Sequence, residues 1–321
     1  MSKINYSLTQ IEYVLALHQF GHFARAAQHC YVTQPTLSMQ IQKLEEMLGV
    51  IIFDRSKKPL KLTTEGEAII EQMRMAYVEA KKVETILEHL KSGDLSGELK
   101  VGVIPTIAPY VLPKALKIFS QKLPKVTLRF YELQTSQIIE QLRNDRLDVG
   151  LLAIPIDGVT FRSIHLYYEP FYVYAAKDHP LFKMDKVAHS KLTTSDIWLL
   201  EEGHCLRGQI LDICQSAKLS DNLRTTFFES GSLETIRNLV KNLGGYTLMP
   251  ALAIESLKLT GLVRPVVSPM PSREVGLIYL RDHFKLKLIQ SLAEIIKQSL
   301  PEEFKDISKK GLDIIPVELG D

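Results

Sequence analysis

The chain has 321 residues, 45% hydrophobic and 24% charged, with a formal net charge of +2. It is too long for one ordinary core, so two or three domains are expected, and the near-balanced charge leaves any polyanion-binding patch to be decided locally. No apolar run reaches the roughly 18 residues of a membrane span. The start "MSKINYSLTQIEY" lacks the pattern of a secretory signal, and three cysteines speak for a reducing cytoplasm rather than a disulfide-built fold.

In chain order, "LTQIEYVLALHQFG" predicts a helix with Thr9 as N-cap. Ile11, Val14, Leu15 and Leu17 fall near helical spacing, and Gly21 ends the run. "HFARAAQHCYV" predicts a second, short helix. "TQPTLSMQIQKLEEMLG" predicts a third, capped by Thr33, opened by Pro35 and stopped by Gly49. Leu37, Ile41, Leu44 and Leu48 form its core face, and Gln34, Thr36, Ser38, Gln40 and Gln42 lie on the other. "IIFDRSKKPLKLT" predicts two short strands around a basic turn holding Arg55, Lys57, Lys58 and Lys61.

From Thr64 to Ser92 the apolar residues Ile69, Met73, Ala76, Ala80, Val83, Leu87 and Leu90 step by four and three in alternation. That heptad seam predicts a long helix paired with its copy; packing on its own domain is the other reading. "KSGDLSGE" is a linker by its Ser and Gly. From Leu99 strands and helices alternate as β-α-β-α-β, which predicts a mostly parallel sheet with helices on both faces. A second α/β set runs through "FYVYAA", "IWLLEE", "RTTFFE", "SLETIRNLVKNL", "GGYTLMP", "EVGLIYLR" and the final helix "LKLIQSLAEIIKQSL". Two such units suggest two lobes with a cleft between them. The last twenty or so residues look like a loosely attached tail.

The second and third helices follow helix-turn-helix logic: one braces, and the next enters the major groove by its N-terminal half. Gln can bond adenine twice, Thr and Ser suit base or phosphate, and the basic turn suits phosphates. A small helical domain with a solvated polar face is the plainer alternative.

"GHCLRGQILDIC" holds two of the three cysteines. Leu206, Ile210, Ile213 and Ala217 are spaced for a helix with Cys205 in its first turn. The positive helix end, with His204 and Arg207 adjacent, should favour the thiolate. Gly208 costs that helix roughly 1 kcal/mol against Ala. Nine residues of helix rise about 13–14 Å, whereas a disulfide needs its Cα atoms about 4.4–6.8 Å apart, so Cys205 and Cys214 can bond only if the segment unwinds. From the residues alone three readings stand: a redox pair, buried packing, or a metal ligand at Cys205, the last without a second Cys/His pair at zinc spacing. Cys30 reads as buried and inert, and His18, His22 and His29 show no partner that would make them ligands.

"FARAAQHCYVTQPTLSMQIQKLEEMLGVIIFDRSKKPLKLTTEGE" resembles the N-terminal signature of LysR-type transcriptional regulators, through "AA", "TQPTLS", "LE..LGV.IF.R" and "LTTEG". The resemblance covers nearly the whole chain. It implies an α/β protein overall, with an N-terminal winged helix-turn-helix (6–63), a long linker and dimerisation helix (64–92), and a two-lobed effector domain like periplasmic binding proteins (97–303). Lobe I would take about 97–166 and 269–303, lobe II about 167–268, with a tail at 304–321. It further implies a homotetramer of paired dimers on dyad-symmetric double-stranded DNA. Gln34, Thr36, Ser38 and Gln42 would lie in the groove and Arg55 on phosphate or in the minor groove.

"LEEGHCLRGQILDIC", "VGVIPTIAPYVLPKAL", "YELQTSQIIEQL" and "SLETIRNLV" resemble, in the same order, the peroxide-sensing members of that family. This implies that Cys205 is the peroxidatic and Cys214 the resolving cysteine, with Thr106, Thr135, His204 and Arg273 around the hydrogen peroxide. It also implies RNA polymerase and a resetting thiol reductant as partners, and neither cofactor nor membrane. Those members often carry an acidic residue after "HCLR", where this chain has Gly208; Asp212 is the neighbouring carboxylate that could serve instead. A LysR-type regulator with a small-molecule effector in the cleft is the alternative. A thiol peroxidase leaves the "TQPTLS" helix unexplained, and a solute-binding protein would need a signal peptide.

Overall fold

A computed structural model describes residues 5–57, 60–92, 95–156, 161–194, 196–214, 230–280, 285–305 and 307–317. The chain divides into two compact units, Met1–Asp94 and Leu95–Asp321.

The first unit holds α1 (Leu8–Phe20), α2 (Phe23–His29), α3 (Gln34–Leu48), the antiparallel pair β1 (Phe53–Asp54) and β2 (Lys61–Leu62), and α4 (Thr64–Ser92). The cap of α1 is Ser7, not Thr9. The Ser7 hydroxyl accepts from Gln10 N–H at 3.2 Å and the Gln10 side chain accepts from Ser7 N–H at 2.9 Å, a reciprocal box that places Thr9 inside the helix. Thr33 caps α3, and Gly49 ends it at φ 71, where a side chain would be strained. Leu37, Ile41 and Leu44 are buried with Val14, Leu17, Ala26 and Phe53. The start of α4 joins that core through Ile70 and Met73, while Val83 (57% exposed) and Leu87 (49%) stay open on the single chain. The start of α4 thus packs on its own domain; Leu90 and Lys58 lie outside the described side chains.

The second unit runs β3 (Gly97–Val103), α5 (Ala108–Lys122), β4 (Val126–Glu132), α6 (Thr135–Arg143), β5 (Val149–Ile154), β6 (Arg162–Ala175), α7 (Cys205–Ile213), α8 (Leu233–Leu243), β7 (Tyr246–Pro250), β8 (Val263–Pro265), β9 (Met270–Tyr279), α9 (Leu286–Ser299), α10 (Glu302–Lys305) and β10 (Leu312–Ile314). Sheet order is β4-β3-β5-β9-β6-β7, with β10 on β9 and β8 on β6. Among the named strands of the described residues, parallel pairing is confined to β4, β3 and β5 and to β10 on β9. Every pair that joins β9 to β5 or β6, or β6 to β7 or β8, is antiparallel, so the sheet is less parallel than expected. The cause is length: β6 and β9 run well beyond "FYVYAA" and "EVGLIYLR" and pair with each other from Arg162–Tyr279 to Pro170–Ser272. "IWLLEE" forms no strand beyond a single bridge from Ile197 to Tyr246, and "RTTFFE" lies outside the described residues.

Two cores result. One gathers β3, β5, α5, α6 and α9; the other gathers Phe171, Val173, Leu206, Ile210, Cys214, Ile236 and Leu248. The described residues 307–317 are not a loose tail. β10 pairs with β9, Ile315 N–H donates to Ser272 at 2.9 Å, and Phe304, Ile315 and Val317 are buried. Those apolar residues recover burial that a solvated tail would forgo.

Candidate functional site

In the first unit α3 presents Gln34 and Gln42 exposed, with Thr36 and Ser38 half-exposed beside them. Thr36 is tied to the cap, its hydroxyl 2.8 Å from that of Thr33. Gln42 donates to Glu46 at 3.2 Å. Arg55 is less free than expected. It donates to Glu45 at 3.0 Å and lies over the Phe23 ring at 5.8 Å, while Glu45 also accepts from Ile52 and Phe53 N–H. Glu45 thus fixes where the wing begins, and Arg55 keeps a 43% exposed side chain. Cys30 forms the C-cap of α2 and is half-buried rather than fully so; burial pushes its thiol up.

In the second unit Cys205 is the first residue of α7, and Cys214 caps its other end. The helix is formed, so the two Cα atoms sit about nine residues of rise apart. Cys205 packs against the first core; Cys214 is buried in the second. Arg273 on β9 and Glu169 on β6, each 1% exposed, form a buried ion pair. Arg273 Nε and Nη2 reach Glu169 Oε2 at 2.8 and 2.7 Å, and Glu169 Oε1 accepts from Leu252 N–H at 2.9 Å. Arg273 Nη1 donates to Thr106 Oγ1 at 2.8 Å and Nη2 to the Thr106 carbonyl at 3.1 Å. Thr106 lies in the turn between β3 and α5, and Thr135 opens α6. The Thr135 hydroxyl is buried without a well-formed hydrogen bond, yet lies near enough to Cys205 to favour its thiolate.

Burial decides the Cys205 thiol, pushing its pKa above the ordinary value. It is opposed by the Arg273 charge, by Thr135, and by the backbone N–H groups of Leu206 and Cys205 at the helix start. The sequence expectation that His204 and Arg207 prime the thiol is corrected. His204 shares a hydrogen bond with Glu201 at 3.3 Å, and Arg207 donates to the Leu200 carbonyl at 2.9 Å. The cation acting on Cys205 comes from a strand far along the chain. Cys214 is pushed up to about 11 by burial, partly offset by the Tyr246 hydroxyl.

Gly203, at φ +88, lets the chain turn into α7; a Cβ there would clash with the Gln134 side chain. Gly208 is exposed, with open space where a Cβ would stand, and Asp212 is exposed about two turns from Cys205. Glu169 was missed from sequence; its one signal is a lone acid inside the apolar run "YYEPFYVYA". Gln209 was missed too: it is buried and donates to the Ile315 carbonyl at 2.8 Å, joining α7 to the C-terminal segment. Beside His204 lies a cavity of about 510 Å³ lined by Tyr110, Glu132, Gln134, Glu201 and Glu234 among others. Among the described residues no helix is long and apolar enough to cross a membrane.

A helix-turn-helix unit with a β-pair, followed by a two-core α/β unit, defines a DNA-binding regulator with a sensing domain. The chain belongs to the LysR family of bacterial regulators. Residues 8–67 match the model of the bacterial regulatory helix-turn-helix protein, lysR family, and residues 92–301 match the LysR substrate binding domain. The "DNA-binding transcriptional dual regulator OxyR" of Escherichia coli K12 is 34% identical over 308 residues, 95% of this chain and 100% of that protein. The "Hydrogen peroxide-inducible genes activator" of Haemophilus influenzae is 34% identical over 92% of this chain and 98% of its own. Full-length OxyR from Pseudomonas aeruginosa superposes with TM-score 0.71 at 35% identity, covering 91% of this chain and 98% of that one. A Corynebacterium glutamicum OxyR cysteine mutant, solved with hydrogen peroxide bound, gives 0.60 at 30% identity, covering 93% and 94%.

Proposed function

We propose that this chain is a cytoplasmic transcriptional regulator, mainly an activator of oxidative-stress genes, that senses hydrogen peroxide through Cys205 and Cys214. The Cys205 thiolate attacks one peroxide oxygen. The O–O bond breaks, the sulfur becomes a sulfenic acid, and the other oxygen leaves as water once protonated. Thr106, Thr135 and His204 hold the peroxide, and Arg273 stabilises the developing negative charge. Cys214 then displaces water from the sulfenic acid to give the disulfide, which a thiol reductant reopens by exchange. The single observation that carries this reading is the formed α7, with Cys205 under the Arg273 charge and beside Thr135 at one end and Cys214 in a separate core at the other.

The bond requires α7 to be dismantled, so oxidation repacks the sensing domain and, through the oligomer, resets the DNA-binding heads. Gln34, Thr36, Ser38 and Gln42 then read base edges, Arg55 takes a phosphate, and RNA polymerase is recruited. Cys205 reacts once per signal, as a regulator rather than an enzyme. The test is a peptide map: reduce the protein, add one equivalent of peroxide briefly, alkylate, and look for a Cys205–Cys214 peptide pair with Cys30 still alkylatable. Three free thiols would refute it. A second reading, an effector bound beside His204, draws on the 510 Å³ cavity. It requires a ligand-dependent shift in DNA binding that persists without either cysteine.

A further inference from the structure

Among the described residues, Arg273 is the cation whose charge acts on the Cys205 thiol, and its guanidinium is held in place. Four of its five N–H bonds are spent: Nε and one N–H of Nη2 on Glu169, the other Nη2 N–H on the Thr106 carbonyl, and one of Nη1 on the Thr106 hydroxyl. Among the described residues, Glu169 is the carboxylate that pairs with it. Glu169 is itself held from behind by the Leu252 N–H. A buried carboxylate in direct contact does two things to a guanidinium: it fixes its plane and cancels much of its field.

We propose that Glu169 is a positioning residue for Cys205, which sets through Arg273 how strongly the thiolate is stabilised. The inference rests on the peroxide reading for its biological meaning, but the geometry can be tested without peroxide. Glu169→Gln keeps one oxygen to accept from Arg273 while removing the charge that cancels it, so more of the Arg273 field reaches the sulfur. Glu169→Asp keeps the charge beside a guanidinium that its two bonds to Thr106 still hold, so most of the cancellation stays. The near-isosteric Gln should therefore shift Cys205 more than the shorter Asp. A role in packing alone would give the reverse order, because Asp changes the shape and Gln does not.

The experiment is iodoacetamide labelling of the reduced full-length protein, read peptide by peptide at Cys205 across neutral to alkaline pH, with circular dichroism reporting folding. Glu169→Gln should move the labelling midpoint to lower pH by about one unit, an about tenfold faster reaction near neutrality. Glu169→Asp should move it less than Glu169→Gln does. In an Arg273→Gln background the Glu169→Gln shift should shrink. In folded variants, an unchanged or raised midpoint in Glu169→Gln, or a larger shift in Glu169→Asp than in Glu169→Gln, would overturn the proposal. If Glu169→Gln fails to fold, an unchanged or lowered Cys205 midpoint in Arg273→Gln overturns it alone. Shifts of the expected sign in a protein that peroxide does not oxidise would leave this inference standing and remove the peroxide reading instead.

Discussion

Gly208→Ala is the most informative single substitution in α7. Gly208 lies within the helix Cys205–Ile213, is exposed, and has open space where a Cβ would stand, so alanine meets no clash. Its effect is then the helix propensity difference, about 0.5–1 kcal/mol in favour of the formed helix. Disulfide formation must close a rise of about 13–14 Å to the roughly 4.4–6.8 Å that a bridge allows, so the oxidised state cannot retain α7. The gain therefore falls on the reduced state alone. The disulfide equilibrium should shift toward reduction by about two- to fivefold. Equivalently, the reduction potential should rise by about 10–20 mV. The assay is equilibration in thiol–disulfide buffers, quenching, alkylation and quantitation of the Cys205–Cys214 peptide pair, beside thermal unfolding of the reduced protein. A higher Tm with an unchanged disulfide equilibrium would show that α7 survives oxidation and would refute the reasoning. A lower Tm would show that position 208 is not helical in solution.

Cys205→Ser should abolish the peroxide response in a promoter-reporter assay, whereas Cys214→Ser should accumulate a sulfenic acid that dimedone traps; a normal disulfide-dependent response in either would count against the thiol pair. Because burial holds the Cys205 thiol protonated, its labelling by iodoacetamide at neutral pH should be slower than that of an ordinary cysteine and should rise steadily into the alkaline range. A rate already at its plateau near neutrality would contradict that environment. Thr33→Ala removes the hydroxyl that accepts from Thr36 N–H at 3.4 Å and should cost about 1 kcal/mol of stability, with weaker DNA binding, measured by thermal unfolding and operator titration. Ending the chain after Lys310 removes buried Ile315 and Val317, the β10–β9 pairing and the Gln209 bond. Two such side chains together contribute about 3–6 kcal/mol of burial, so an unchanged Tm would refute the structural role of this segment.

Whatever depends on near neighbours was legible in the sequence. Thr33 and Gly49 mark α3 because a cap needs a side-chain oxygen at one end and a left-handed residue at the other, and both are local requirements. The alternation of β3, α5, β4, α6 and β5 follows from period and turn residues, and the spacing of Cys205 and Cys214 already shows that helix and disulfide exclude each other. Even here locality has limits: Ser7 displaced Thr9 as cap because the Gln10 side chain completes a reciprocal bond.

What tertiary structure decided is the electrostatics of the thiol. His204 and Arg207 adjoin Cys205 in sequence, but their side chains turn to Glu201 and Leu200. Arg273 and Glu169 reach one another across 104 residues because antiparallel pairing of β6 with β9 sets them in register, and Arg273 meets Thr106 across 167. The rise in the Cys205 pKa is a property of burial, which no short stretch carries. The C-terminal segment likewise gains its place from partners on β9 and α7 rather than from its own residues. Charge and propensity are written residue by residue, while desolvation and register arise only when distant segments close over one another.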